Sequence, residues 1–210
     1  MAGSTGRQPV AALTTAEVKK LSRACGTDLA GARDRALFLV GFAGALRRSE
    51  LVALDVEHVT WTNAGMKLLI ERSKTDAEGE GAEIAIPRGQ SPETCPVTAL
   101  QQWLTAAEIS AGPLFRKVNR AGAVETARLV PDAVRQILLK RAAKAGLKGT
   151  LAEPVSPHGL RAGFVTTAYG NGVPDEEIMG HTRHRSLTTM RSYVRRAKLG
   201  RISPAGKLGL

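Results

Sequence analysis

Apolar residues recur at helical spacing through the first quarter of the chain. Thr14 is followed three residues later by Glu17, a spacing typical of a capping box at a helix start. Gly41 and Gly44 interrupt the next apolar pattern, and because glycine is a poor helix former we interpret them as points of close packing. The pattern predicts helices over 14–24, 33–46 and 49–54, with a loop over 25–31.

The period then changes from helical to alternating. A turn-forming segment over 62–65 separates two stretches of strand character, and a polar segment over 73–82 fits the tip of a hairpin. Pro87 ends a third stretch. These features predict a three-stranded antiparallel sheet with strands over 57–61, 66–71 and 83–86.

Helical periodicity dominates the second half of the chain. Pro96 and Pro131 each precede such a pattern, and proline is favoured in the first turn of a helix. The pattern predicts helices over 96–108, 132–145, 158–169, 175–179 and 187–196, and a short extended piece at 114–115. The predicted fold class is therefore α+β, a single mostly helical domain with a small three-stranded antiparallel sheet.

Composition excludes several classes of protein. The chain has 210 residues, of which 43% are hydrophobic and 4% aromatic, so one domain with an aliphatic core is expected. The longest apolar run, over 36–46, is about half of the roughly 20 residues that cross a bilayer. The first ten residues carry no secretory pattern. Two cysteines, Cys25 and Cys95, cannot form a disulfide framework, which favours the reducing cytoplasm.

Positive charge indicates a polyanionic partner. The formal net charge is +11, and it is concentrated in two stretches. Residues 116–148 contain nine Lys or Arg and two acidic residues, and 183–207 contain eight Lys or Arg and no acidic residue. Because aromatic platforms for single strands are scarce, duplex DNA fits better than single strands or RNA.

Three stretches combine cationic residues with groups that could react. Arg47 lies three residues before Glu50, and His158 lies three before Arg161, which places each pair on one face of a helix. Tyr193 lies in the acid-free stretch, where positive charge favours the anion of a covalent nucleophile. Taken alone, an Arg and a Glu three residues apart most often form a surface ion pair. His158 alone fits a histidine that caps or packs at a helix start equally well, and Tyr193 alone fits an exposed helix residue equally well.

A metal site is disfavoured. His181 and His184 lie three residues apart, but no carboxylate or thiolate lies between them and their neighbours are cationic. We therefore expect neither a metal ion nor another cofactor.

In their order and spacing, these stretches resemble the catalytic domain of the tyrosine recombinases, the phage integrase family. The resemblance covers about 13–197, with 1–12 as a flexible leader and 198–210 as a C-terminal tail. The segments that carry it are Arg33–Leu37 (RDRAL), Gly44–Leu51 (GALRRSEL), Ser73–Thr75 (SKT), Ser156–Arg161 (SPHGLR), Thr182–Leu187 (TRHRSL) and Tyr193.

The resemblance implies a role for each matching residue. Arg47 and Arg161 correspond to the two catalytic arginines, Glu50 to the acidic support of the first, and His158 to the histidine of the His-x-x-Arg pair. Tyr193 corresponds to the nucleophile. Lys74 corresponds to the hairpin lysine that protonates the leaving 5′-oxygen. The second histidine is His184, nine residues before the tyrosine, with His181, twelve before it, as the alternative; Arg183 stands where the family usually has glycine.

The implied activity is site-specific DNA recombination or integration. The tyrosine would cleave one strand through a 3′-phosphotyrosyl intermediate and rejoin it without ATP or metal. The implied partners are double-stranded DNA and further copies of the chain in a dimeric or tetrameric synapse, with contacts through the C-terminal tail. No membrane partner is expected, and the localisation is the cytoplasm, at the nucleoid.

One feature departs from the family pattern. Only about a dozen residues precede the first predicted helix, so the usual N-terminal DNA-clamping domain is absent from this sequence. The chain is then either a catalytic fragment or an enzyme with a reduced clamp. Two alternatives remain open at the level of sequence: a DNA-binding module without turnover, and a nicking-closing enzyme of the type IB topoisomerase class.

Overall fold

The structure, a computed structural model, describes residues 10–71 and 81–199. Its helices are α1 (Thr15–Ala24), α2 (Leu29–Ala43), α3 (Arg48–Ala53), α4 (Pro96–Ala106), α5 (Pro131–Lys144), α6 (His158–Gly170), α7 (Asp175–Thr182) and α8 (Leu187–Leu199). Its strands are β1 (Val59–Trp61), β2 (Gly65–Ile70), β3 (Ala82–Pro87), β4 (Arg116–Val118) and β5 (Val124–Arg128). Single turns of 3-10 helix lie at Val56–His58 and Pro92–Thr94. The hairpin tip predicted over 73–82 falls almost entirely outside the described residues.

The first sheet has the predicted order and direction. Strand β2 pairs antiparallel with β1 and with β3, so that Lys67 lies opposite Thr60 on one side and Ala85 on the other. Along β2 the buried residues alternate with exposed ones, because successive side chains point to opposite faces of a sheet. The prediction of a mostly helical domain with a small three-stranded antiparallel sheet is confirmed.

A second, two-stranded sheet was not predicted. Strands β4 and β5 form a hairpin, whereas the predicted extended piece at 114–115 precedes it as two buried residues outside any strand. The turn between the strands closes on Asn119, whose side chain accepts a hydrogen bond from the backbone of Ala123 at 3.0 Å. The hairpin is short and mostly polar, so neither length nor alternation marked it in the sequence.

Helix α2 begins earlier than predicted. Asp28 caps it, since its side chain accepts a hydrogen bond from the backbone N–H of Gly31 at 2.7 Å. The predicted loop over 25–31 is therefore wrong for its last three residues. The helix ends at Ala43 rather than at Leu46, and Ala45 takes a left-handed conformation with φ 46° that turns the chain away.

Helix α2 lies at the centre of the core and is joined to α5 by a buried ion network. The carboxylate of Asp34 accepts hydrogen bonds from Arg33, its neighbour on α2, and from Arg141 on α5, each at distances of 2.7–2.9 Å. All three side chains are nearly inaccessible to solvent. Because breaking one partner of such a network leaves a buried charge uncompensated, the network fixes α5 relative to α2.

A smaller apolar cluster positions the C-terminal helix. It joins α6, α7 and α8 through Val165, Ile178, Met190 and Val194, all of which are buried. Tyr193 packs against this cluster from α8. None of the helices in the described ranges is long and apolar enough to span a bilayer.

Candidate active site

Arg47 reaches the site from the turn between α2 and α3. The turn is closed by a hydrogen bond from the N–H of Leu46 to the carbonyl of Gly41 at 3.0 Å, and Arg47 caps the N-terminus of α3. Both its backbone N–H and its guanidinium donate to the carboxylate of Glu50, at 2.7 and 2.5 Å. The carboxylate is 10% exposed and the arginine side chain 51% exposed, so Glu50 anchors an arginine that faces solvent.

Glu50 also binds a second arginine from a distant element. Arg183, at the end of α7, donates to the same carboxylate at 2.9 Å. Burial alone would raise the pKa of Glu50, but the charges of Arg183 and Arg47 outweigh it and lower that pKa. The carboxylate is therefore ionised at neutral pH and holds two guanidinium groups beside the site.

His158 and Arg161 lie on the first turn of α6, on one face as predicted. Arg161 is 1% exposed, and one of its terminal nitrogens donates to the carbonyl of Ala45 at 2.6 Å. The other terminal nitrogen, Nη2, is buried and finds no hydrogen-bond partner among the described residues. Burial and the neighbouring Arg47 lower the pKa of Arg161 to about 10, so it remains charged at neutral pH with a donor to spare.

Helix α6 lies directly on the chain segment before α1. A Cβ atom at Gly163 would lie 1.8 Å from the carbonyl oxygen of Leu13, and one at Gly159 would lie 2.4 Å from that of Ala11. Only glycine allows this contact between backbones. The contact fixes the position of α6, and with it the positions of His158 and Arg161.

Tyr193 meets His158 within the same chain. Its hydroxyl oxygen lies 2.7 Å from Nε2 of His158, a hydrogen-bond distance between a candidate nucleophile and a candidate base. The ring of His184 also lies beside the tyrosine, with ring centroids 5.8 Å apart. The side chain that sequence proposed as nucleophile is thus in place without a partner subunit.

The two neighbouring histidines occupy different places. His181 stacks on Phe164, with centroids 4.7 Å apart, and its Nε2 donates to the carbonyl of Ala43 at 2.7 Å. Burial lowers the pKa of His181. His184 faces the site, where burial and the charges of Arg161 and Arg47 lower its pKa to about 4. The structure therefore brings His184 to Tyr193 and gives His181 a packing role.

A cleft of about 710 Å³ opens beside Tyr193 and His158. Arg47, His158 and Tyr193 form its floor, while Arg48 and Arg135 contribute positive charge from α3 and α5. Among the described residues, no group of three histidine, cysteine, aspartate or glutamate side chains could hold a metal ion. The cleft is suited to an anion whose oxygens accept hydrogen bonds from several cations.

Of the predicted site residues, Arg47, Glu50, His158, Arg161, His184 and Tyr193 come together. Lys74 lies outside the described residues. Sequence reasoning assigned no role to Thr182 or to Arg183, which contact His184 and Glu50. The sequence did carry a signal for Arg183, since it stands where the family usually has glycine and adopts φ 57°, a left-handed conformation that glycine tolerates best.

The fold and this cluster of two arginines, two histidines and a tyrosine define the class of tyrosine recombinase catalytic domains. The family model described as "Phage integrase family" matches residues 11–199. The chain belongs to the phage integrase family, and the resemblance drawn from the sequence motifs is confirmed.

Curated proteins similar to this chain are described as recombinases. The chain is 39% identical over 171 residues to an integrase/recombinase xerD homolog of Selenomonas ruminantium, an alignment that covers 81% of this chain and 49% of the relative. It is 31% identical over 194 residues to tyrosine recombinase XerC of Pelotomaculum thermopropionicum, covering 89% of this chain and 58% of the relative. The chain thus spans about half the length of these curated relatives.

Solved structures share the fold. A XerH site-specific recombinase bound to palindromic difH substrate, in a post-cleavage complex, superposes with a TM-score of 0.72 at 21% identity, covering 99% of this chain and 56% of that one. The XerA recombinase superposes with a TM-score of 0.68 at 20% identity, covering 96% of this chain and 67% of that one.

Proposed function

We propose that this chain is the catalytic domain of a site-specific DNA recombinase or integrase. The observation that carries the proposal is the 2.7 Å contact between the hydroxyl of Tyr193 and Nε2 of His158, at the floor of a cleft lined by arginines. A module that only bound DNA would need the arginines but not a tyrosine paired with a base. Relatives described as tyrosine recombinases support the same activity.

The proposed first step is attack of the Tyr193 oxygen on the phosphorus of one DNA phosphodiester. His158 accepts the phenolic proton, the bond from phosphorus to the 5′-oxygen breaks, and a 3′-phosphotyrosyl link forms. Lys74 protonates the departing 5′-oxygen, the role that the family resemblance implies. Since the new link is again a phosphodiester, a 5′-hydroxyl can attack it and rejoin the strand without ATP.

Arg47 and Arg161 stabilise the charge that builds on the two non-bridging oxygens. Nη2 of Arg161 is a buried donor without a hydrogen-bond partner among the described residues, and preorganised donors of this kind stabilise developing charge. An arginine supplied to phosphoryl transfer raises the rate by about 10³–10⁵. Two of them supply the charge that a metal ion would otherwise bring, so we propose that the reaction uses no cofactor.

Double-stranded DNA is the proposed substrate, and it would cover the cleft. Arg48 and Arg135 flank the floor on separate helices and would bind phosphates on either side of the reacting one. Related recombinases have been solved as dimers and tetramers on DNA, and we propose that this chain also self-associates there. From residue 200 onwards, the C-terminal tail proposed for these contacts lies outside the described residues. The proposed location is the cytoplasm, at the nucleoid.

Covalent capture tests the proposal. Nicked duplexes are tiled across the DNA that flanks the gene, so that a short 5′-hydroxyl fragment leaves after cleavage and the adduct cannot revert. Wild type is expected to give a protein–DNA adduct on a denaturing gel, and Tyr193→Phe none. Tyr169→Phe, which removes the only other tyrosine hydroxyl of the chain, is the matched control and should retain the adduct. Wild type that binds these duplexes without forming an adduct would indicate a binding module instead.

Mixing variants tests delivery of the nucleophile in cis. Tyr193 contacts His158 of its own chain, so a mixture of Tyr193→Phe and Arg161→Ala should remain as inactive as either variant alone. An adduct that forms only in the mixture would place the attacking tyrosine in a partner subunit.

A further inference from the structure

Thr182 is a buried polar residue beside the site to which no role has been given. It is the last residue of α7, and its accessible surface is 0%. Its hydroxyl oxygen lies 2.7 Å from the carbonyl oxygen of Ile178 and 2.6 Å from Nδ1 of His184. Both distances are those of hydrogen bonds, so each needs one proton between its two atoms.

The protons can be counted. A threonine hydroxyl carries one hydrogen, and a carbonyl oxygen can only accept. The hydrogen of Thr182 must therefore point to Ile178, because two oxygen lone pairs at that distance would repel each other. In the contact with His184, the imidazole Nδ1 must therefore carry the proton and donate it to the hydroxyl oxygen of Thr182.

The backbone around Thr182 holds this arrangement. Arg183 turns the chain with φ 57° and ψ 40°, and the N–H of His184 bonds to the carbonyl of Met179 at 3.1 Å. The guanidinium of Arg183 is itself fixed on Glu50. His184 is therefore folded back over the end of α7, with Nδ1 over the hydroxyl.

The surroundings of His184 disfavour a second proton on the ring. Arg161 and His158 face it from α6, Arg47 from the start of α3 and Arg183 from its own turn. Tyr193 is the polar group that faces it from α8. A neutral imidazole with its proton on Nδ1 carries a bare lone pair on Nε2.

We propose that Thr182 is a positioning residue that fixes His184 as the Nδ1–H tautomer, so that its Nε2 serves the site as a hydrogen-bond acceptor. The catalytic consequence rests on the function proposed above. An acceptor beside Tyr193 holds a hydroxyl or a water that still carries its proton, whereas it repels an unprotonated phosphate oxygen. His184 then works with His158 on proton movement, and Arg47 and Arg161 bind the phosphate oxygens.

The tautomer is measured directly on the free protein. Histidines labelled with ¹⁵N are observed by long-range proton–nitrogen correlation at pH 7, which separates the two tautomers by nitrogen shift and coupling pattern. The structure supplies an internal reference, because the Nε2 of His181 donates to a carbonyl and must carry the proton. Opposite tautomers are therefore expected, Nε2–H for His181 and Nδ1–H for His184. His184 observed as the Nε2–H form in the wild type overturns the proposal.

Two substitutions test whether Thr182 is the cause. Thr182→Ser keeps the hydroxyl and should keep the Nδ1–H form. Thr182→Val keeps the shape but removes the acceptor, so His184 should shift to the Nε2–H form while the His181 signals stay in place. A His184 that remains Nδ1–H in Thr182→Val overturns the role of Thr182, and unmoved His181 signals show that the variant is folded.

Activity provides a readout that is separate from the tautomer. Adduct formation should fall at least about tenfold in Thr182→Val and be rescued in Thr182→Ser, since a wrong imidazole tautomer lowers turnover by about 10⁴ in the serine protease triad. Equal adduct yields of Thr182→Val and wild type overturn the catalytic consequence. A wild type that forms no adduct refutes the proposed function, while the nitrogen spectra still decide the tautomer.

Discussion

Glu50 is the acidic group on which two arginines of the site converge. One oxygen of its carboxylate accepts the guanidinium of Arg47, and the other accepts the backbone of Arg47 and the guanidinium of Arg183. Glu50 therefore fixes the position of Arg47, although Glu50 itself does not line the cleft. Half of the Arg47 side chain remains exposed and can meet a ligand.

Removing the charge of Glu50 should cost stability in a pH-dependent way. Glu50→Gln is expected to lower the free energy of unfolding at pH 7 by about 1.5–3 kcal/mol, the range for hydrogen bonds to charged groups. The pKa of Glu50 is lowered in the folded protein, so its contribution is complete above the unfolded value of 4.5 and is lost as the pH falls through the folded value. Urea unfolding at pH 7 and pH 3 measures this, and the difference between wild type and variant should shrink at pH 3. A difference that is constant or larger at pH 3 contradicts the assignment.

At this scale the sequence predicts some neighbours and not others. His158 and Arg161 are three residues apart on a helix, so their common face follows from helical geometry alone. Glu50 and Arg183 are 133 residues apart, and only the tertiary fold brings them together. The spacing of the histidines to Tyr193 favoured His184 over His181, and the structure supplies the physical reason, since the ring of His181 is occupied by Phe164.

At the scale of elements, the site depends on how α6 rests on the segment before α1. The helical periodicity located each α-helix of the described residues, but the helix ends depended on local caps such as Asp28. The hairpin of β4 and β5 carried too few apolar residues to be found. The close approach of Gly163 to Leu13 could not be predicted either. A glycine in a helical pattern signals close packing without naming the partner.

Filling that contact should damage the site. Gly163→Ala places a Cβ where the carbonyl oxygen of Leu13 would be 1.8 Å away, so the helix and the segment beneath it must separate. We expect a loss of about 1–3 kcal/mol or more in the free energy of unfolding, as for other overpacked positions, and weaker adduct formation. Gly170→Ala in the same helix is the matched control, because no atom lies within 4 Å of its added Cβ. Equal stability of the two variants in urea unfolding contradicts the packing argument.

At the scale of the whole molecule, positive charge and the candidate active site meet at one cleft. The sequence located the positive charge in two stretches, and the structure places residues from both at the cleft, Arg135 from the first and Tyr193 from the second. The order of motifs was sufficient to identify the family. The order of motifs could not show that six side chains from α3, α6, α8 and two turns lie close together, because only the tertiary fold brings them there.

Phosphate contacts at the cleft should appear in the salt dependence of DNA binding. Arg135→Ala removes one exposed cation from the lining, so the slope of log K against log salt should become shallower by about 1. Lys19→Ala on α1 is the control, since this lysine is exposed but does not line the cleft. Fluorescence anisotropy over a range of salt concentrations measures both slopes. If the slope changes more in the Lys19 variant than in the Arg135 variant, the DNA binds to another face of the protein.

The identity of the nucleophile is tested most directly by mapping the adduct. After covalent capture, the DNA is digested to a single nucleotide and the protein is cleaved with trypsin, which releases Tyr193 in the short peptide between Arg191 and Arg195. Mass spectrometry should find a 3′-nucleotide on that tyrosine. The nucleotide on any other residue, or captured DNA with an unmodified Tyr193, would contradict the account.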